Sequence, residues 1–230
     1  MSRVMKRRGG FYVRLSGTAT LRGMRMMTSV LFVIGLAAAA AQERDYQPSY
    51  NLCPGTYIPN SEVQAYVKRG FANDLTDQQI RQVSVGKSNV GVAVVTRKKL
   101  ATANVVAEHD LVSEVYHVIS GAGTIELGPD LIGKERRNAN DNTVRLLNGP
   151  GNNAKSIRNS VFHDLKQGDV VVIPAGTGHR FTKIDDHITY LMIRIDPDKV
   201  TPPKTEADSK ADLQTDGRAT AGNAAGATRK

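Results

Sequence analysis

The chain is sparing with side chains that can bind a metal or act as nucleophiles: its 230 residues include five histidines, one cysteine and no tryptophan. The positions of those histidines are therefore informative. His109 precedes Glu114 by five residues, and Glu114 opens the run Glu114-Val115-Tyr116-His117-Val118-Ile119-Ser120-Gly121. A second run, Gly168-Asp169-Val170-Val171-Val172-Ile173-Pro174-Ala175-Gly176-Thr177-Gly178-His179, reads as a turn, a buried strand, a Pro-Gly turn and a histidine at the start of the next strand. Sheet geometry can bring His179 against His109 and Glu114 inside one barrel. Two imidazoles and a carboxylate on one side of a cation leave coordination positions open for water, dioxygen or substrate, and these donors suit Fe(II), Mn(II), Ni(II) or Zn(II). The same three residues also allow a metal-free reading, a hydrogen-bonded polar cluster in a pocket. In either case a buried Glu114 needs a cation or hydrogen-bond donors, because an uncompensated buried carboxylate is costly.

Strand parity sorts the neighbouring side chains. Tyr116 shares a face with Glu114 and lines the same pocket; Phe181 shares a face with His179 and packs below it. His117, three residues after Glu114, falls on the opposite face, as an outer-surface or interface residue. His163, before the Lys166-Gln167-Gly168 turn, and His187, after Asp185-Asp186, read as surface turn residues. Lys183 has the parity of His179 but lies near a strand end, where a solvated lysine is expected. Cys53 has no partner in the chain, which excludes an intrachain disulfide and a thiolate metal cluster, and it is assigned no role.

Strand-like segments supply the scaffold. Val90 to Thr96, Thr102 to Glu108, Glu114 to Ser120, Thr124 to Leu127, Asp169 to Ile173, Arg180 to Ile184 and Ile188 to Ile195 are rich in β-branched or aromatic residues, and Gly, Pro, Asn or Asp bound them. No long helical period separates them, which indicates an all-β, antiparallel sandwich or barrel over residues 83–200. Ahead of it, residues 42–82 read as an extended arm to Asn60 and two short helices. These helices are signalled by Ser61-Glu62-Val63-Gln64 and Thr76-Asp77-Gln78-Gln79, each with Ser or Thr three places before Gln. Residues 129–159 form a polar insertion carrying Asn138, Asn140, Asn142, Asn148, Asn152 and Asn153, with one strand expected at Val144 to Leu147. Residues 201–230 lack hydrophobic periodicity and read as a disordered tail.

The formal charge of +9 suggests a nucleic-acid partner until its distribution is considered. Residues 1–41 hold seven of the 31 basic side chains and no acidic ones, which leaves 24 bases against 22 acids in the rest. A net of +2 without a basic-aromatic stripe argues against nucleic-acid binding. Arg22 and Arg25 precede the apolar run Val30 to Leu36 and the alanines Ala37 to Ala41, the order of a secretory signal peptide with cleavage near Ala41. Residues 1–41 are thus a leader, with the true start between Met24 and Met27 as an alternative to Met1. The mature protein is expected to be periplasmic or secreted, with no stable membrane insertion after cleavage.

The motif residues resemble those of the cupins, small jelly-roll (double-stranded β-helix) barrels whose motifs run G(X)5HXH(X)3-4E(X)6G and G(X)5PXG(X)2H(X)3N. The resemblance covers about Val90 to Pro197. Glu114 and Gly121 reproduce the end of the first motif, and His109 falls at its second histidine. Gly168, Pro174, Gly176 and His179 match the second motif. Ala107 stands where the family has its first histidine, Ala101 where it has a glycine, and Lys183 where it has the closing asparagine. The resemblance implies a metal site of three ligands, His109, Glu114 and His179, with Ala107, Tyr116 and Phe181 around it. It implies a small-molecule substrate or ligand, with dioxygenase, isomerase and lyase chemistry all represented among such proteins. A metal-free module that binds a sugar or small acid is the alternative, as is a structural role in which the 42–60 arm joins two copies into a homodimer.

Overall fold

A computed structural model of the chain describes residues 55–215. Residues 1–54, which include the expected leader, most of the expected arm and Cys53, and residues 216–230 lie outside the described residues. In chain order the elements are α1 (Asn60–Asn73), β1 (Asp77–Val85), β2 (Ser88–Leu100), β3 (Val106–His109), β4 (Ser113–Gly128), β5 (Asp130–Ile132) and β6 (Glu135–Arg136). A π-helical turn (Thr143–Asn148) follows, then β7 (Gly151–Ala154), β8 (Ser156–Arg158), β9 (Val161–Lys166), β10 (Val170–Ile173), β11 (Gly178–Asp196) and α2 (Glu206–Leu213).

Two long strands, β4 and β11, organise the barrel because each bends and serves both walls. The second half of β11 pairs with β2 and with the first half of β4, giving one wall in the order β1-β2-β11-β4-β10. Their other halves pair again, with β3 and β9 outside them, giving the facing wall β6-β7-β3-β11-β4-β9. All of these pairs are antiparallel, and the architecture is a jelly roll. Inward-facing residues of both walls meet in one core. Ala93, Val95, Tyr116, Val118, Tyr190 and Met192 come from the first wall, and Ile125, Leu165 and Phe181 from the second. Period-two alternation accounts for this selection: Tyr116 and Val118 are buried while His117 between them is exposed.

The segments Glu114 to Ser120 and Thr124 to Leu127 are one strand bent at Gly121, and Arg180 to Ile184 and Ile188 to Ile195 are likewise joined within β11. Thr76-Asp77-Gln78-Gln79 forms no helix but leads into β1, so the barrel begins at Asp77 rather than at residue 83. Its glutamines serve the sheet instead. Gln78 accepts from Arg69 of α1 and donates to the Tyr66 carbonyl, while Gln79 accepts from Arg194 inside the barrel. Among the described residues ahead of the barrel, the helix α1 lays Val63, Tyr66 and Val67 on the outer side of the first wall against Ile80, Val94, Ile119 and Leu191. It ends at Asp74, whose left-handed backbone (φ 58°) turns the Leu75 N–H onto the Gly70 carbonyl (3.0 Å) that Asp74's own N–H also reaches.

Two polar segments are better ordered than their composition suggests. In the 129–159 insertion, β5 pairs with β8, and β7 joins the second wall beside β3; Val144 to Leu147 lies in the π-helical turn and not in a strand. The expected disorder from residue 201 is overturned as far as residue 215. Lys204 bridges to Gln82, Thr205 caps α2 reciprocally with Asp208, and Ser209 is fully buried and donates to the Ile80 carbonyl. Polar contacts hold α2, so hydrophobic periodicity could not announce it.

Gly121 makes the bend in β4 possible. Its φ is 73°, and a Cβ there would sit 2.0 Å from the His187 carbonyl oxygen. A Gly121→Ala variant is therefore expected to lose about 2 kcal/mol or more of unfolding free energy, read from the shift of its urea midpoint.

Candidate metal centre

Glu114 lies near the start of β4, where parity turns its side chain inward with Tyr116 and Val118. Arg194 of β11 is its register partner on one side and Ile173 of β10 on the other. His109 closes β3. The Gly176 N–H donates to the His109 carbonyl (2.8 Å), and the Asp110 N–H after it to the Pro150 carbonyl (2.9 Å). Gly151 opposes His109 across β3 and β7, and a Cβ there would meet the Glu108 carbonyl oxygen at 2.1 Å, so this pairing needs glycine. His179 enters from the start of β11, directly opposite Ala107.

The barrel thus brings His109, Glu114 and His179 together, each buried, with one donor atom from each all within 4.8 Å of one another. His109 Nε2 lies 3.4 Å from Glu114 Oε1, and His179 Nε2 lies 3.5 Å from Oε2. The two imidazole rings are 5.2 Å apart between centroids. Tyr116 lines the same space and donates its hydroxyl hydrogen to Glu114 Oε2 at 2.7 Å, while its ring stacks on Tyr190 at 4.4 Å. Phe181 sits one layer deeper, 5.8 Å from the Tyr190 ring, in the apolar core. Ala107 contributes only a methyl group beside His179. The other histidines stay away from this cluster. His117 and His163 are exposed on β4 and β9, and His187 lies within β11, between Ser120 and Asp186. His163 and His187 thus occupy strands rather than turns. Lys183 is solvent-exposed and pairs with Asp185.

Several groups around the cluster left little or no mark in the motif spacing. Arg194 is fully buried, its Nε 3.6 Å from Glu114 Oε1, and its other nitrogens pair with Asp77 and Gln79. Counting by twos from Ile188 through Tyr190 and Met192 would have placed it inside. Arg137, half-buried in the insertion, puts a guanidinium nitrogen 3.4 Å from His109 Nδ1 and donates through Nε to Asn153 Oδ1 at 2.9 Å. Nothing in the sequence around it marks it as a site residue.

The electrostatics follow from burial set against charge. Burial alone would raise the Glu114 carboxyl, but His109, His179 and Arg194 together hold it well below the usual carboxylate range. Burial lowers His179 to about 4, the nearby His109 adds to this, and Glu114 opposes it. Burial and the adjacent Glu114 charge push the Tyr116 phenol well above its ordinary range, so it remains a donor. His179 Nδ1 lies 3.2 Å from the Thr177 carbonyl, which can only accept; the ring proton therefore sits on Nδ1 and leaves the Nε2 lone pair facing Glu114. Arg137 can only donate, so His109 Nδ1 accepts and its proton sits on Nε2, toward Glu114 Oε1.

No family model matches this chain, and no curated protein is similar to it. Solved structures are similar. A Bacillus halodurans protein is 16% identical over 70% of this chain and 98% of its own, with a TM-score of 0.38. Vicilin from hazelnut, Corylus avellana, is 14% identical over 48% of this chain and 24% of its own, with a TM-score of 0.29. The capsular polysaccharide assembling protein CapF of Staphylococcus aureus is 17% identical over 49% of this chain and 29% of its own, with a TM-score of 0.28. The fold is a cupin-type jelly roll: two antiparallel walls share their longest strands, and His109 and Glu114 of the first cupin-like motif and His179 of the second face one lumen.

The pH dependence of stability has a definite sign. Between pH 6.5 and about 4 the unfolded chain takes up a proton at residue 179 that the folded chain refuses, so stability falls as pH falls through that window. Glu114 acts in the same direction at lower pH, because its ion-paired form is lost on protonation. Metal-free protein is expected to lose up to about 1.4 kcal/mol per pH unit at residue 179 across this window. In denaturation at stepped pH, His179→Gln should flatten that slope.

Proposed function

We propose that the barrel holds a divalent transition metal, Fe, Mn, Ni or Zn, through His109, Glu114 and His179, and binds or transforms a small molecule beside it. The observation that carries this reading is the meeting of two imidazoles and one carboxylate within 4.8 Å in a buried lumen. The Thr177 carbonyl also orients the His179 lone pair as a ligand requires. A bound cation would supply Lewis acidity toward substrate or water. The chain's own residues do the positioning. Tyr116 and Arg194 fix the Glu114 carboxylate from two sides, and the apolar layer of Phe181, Tyr190 and Ile125 seals the floor against water. Ala107, beside His179, supplies no fourth ligand and leaves room on that side. Export through the 1–41 leader, in this reading, puts the activity in the periplasm or outside the cell.

A second reading draws on a specific observation. Glu114 already has Tyr116 and both histidines about it without any cation, with Arg194 close by. The pocket would then be a metal-free site for a sugar or small acid, in a binding or structural protein.

Elemental analysis separates the two readings. Protein purified from its native compartment should carry close to one transition metal per chain, which His179→Ala removes and Glu114→Gln reduces at least tenfold in affinity. Protein that stays metal-free, cannot be loaded, and binds small molecules equally well with chelator present would establish the second reading instead.

A further inference from the structure

Arg137 is a half-buried cation with no carboxylate in ion-pair range among the described residues. Its neighbour Arg136 is paired with Asp110. Glu108 lies on the other face of β3 from His109, where it accepts from Asn152. Burial lowers the guanidinium from its usual value, although Glu114, Glu108, Asp110 and Asp141 all pull the other way. Its hold on the centre is the 3.4 Å approach to His109 Nδ1. That contact requires an unprotonated Nδ1. An imidazole that ligates a cation through Nε2 carries its proton on Nδ1, and two donors then face each other.

We propose that Arg137 anchors the carboxylate of a small anionic substrate at this centre; this inference rests on the metal reading above. Metal loading removes the only acceptor that His109 offers the guanidinium. It also leaves the lumen with uncompensated positive charge, because Glu114 offsets one unit, Asp77 offsets Arg194, and Arg137 is offset by neither. A carboxylate satisfies both needs, since its two oxygens match the planar guanidinium fork. The ligand must be small, because His109, Glu114 and His179 are each at most 8% exposed. Metal and anion should therefore bind cooperatively, each tightening the other by the same factor.

The test is calorimetric titration of zinc-loaded protein with lactate and with lactamide, which keeps the shape and lacks the charge. Lactate should bind once per zinc and lactamide at least tenfold more weakly. Arg137→Met should keep its zinc and lose at least tenfold in lactate affinity, with Arg137→Lys between the two. Lactate should slow zinc loss to a chelator in the native chain and have no such effect in Arg137→Met, which holds zinc at least as tightly as the native chain when no anion is present. Equal binding of lactate and lactamide, or lactate binding unchanged in Arg137→Met, overturns the assignment of Arg137 and leaves the metal centre standing. A native chain that takes up no zinc, as measured before any ligand is added, overturns both.

Discussion

A carboxylate with 1% of its surface exposed, set in the wall of a β-barrel, is the constraint around which this lumen is arranged. Leaving such a charge uncompensated would cost several kcal/mol, on the order of the net stability of a whole domain. The barrel surrounds it instead. Tyr116, two residues along the same strand, donates to one oxygen, and Arg194, directly across the ladder, approaches the other. His109 and His179 close the remaining sides. Arg194 is itself buried and is held by Asp77 and Gln79 from β1, so the chain of compensation runs from the first strand of the barrel to its centre.

The outer layer follows from the same economy of partners. β1 has polar residues on both faces, which would be unfavourable in a strand buried on both sides unless each found a partner. Asp77 and Gln79 find Arg194 inside, and Gln78 finds Arg69 and the α1 backbone outside. Arg81 pairs with Glu62 of α1 and reaches Ser209 of α2. The two helices therefore satisfy donors and acceptors on the first wall as well as covering Ile80 and Val94.

Much of this was legible in the amino-acid order, and the reasons for success and failure are physical. Period-two alternation identified the inward face of β4, and the spacing of glycines, proline and histidines placed His109, Glu114 and His179 in one lumen. Composition failed where polar residues build structure. Thr76 to Gln79 has the spacing of a helix start, yet its side chains have better partners in a sheet. The stretch Pro202 to Thr215 carries a single large apolar side chain, Leu213, yet a reciprocal cap and a buried serine hold it. Arg137 was invisible because the folding of an Asn-rich insertion, rather than any local pattern, brings it beside His109. Arg194 was readable in principle, because it continues by twos the inward row of Ile188, Tyr190 and Met192.

The sharing of β4 and β11 between both walls also governs how the centre can move. A barrel made of two separable sheets could part along a seam and expose its lumen while most of its ladder hydrogen bonds stayed closed. Here Glu114 and His179 sit on strands that continue into the opposite wall, so exposing either side chain is expected to require opening ladder pairs in both walls. His109 differs, because it ends the short β3, which meets β11 at the single register pair Ala107 and His179 and on its other side pairs with the four-residue β7, itself backed only by the two-residue β6. Two corners of the centre thus stand on the long shared strands and the third on short ones, so the β3–β7–β6 side is where local opening of the lumen is expected to cost least.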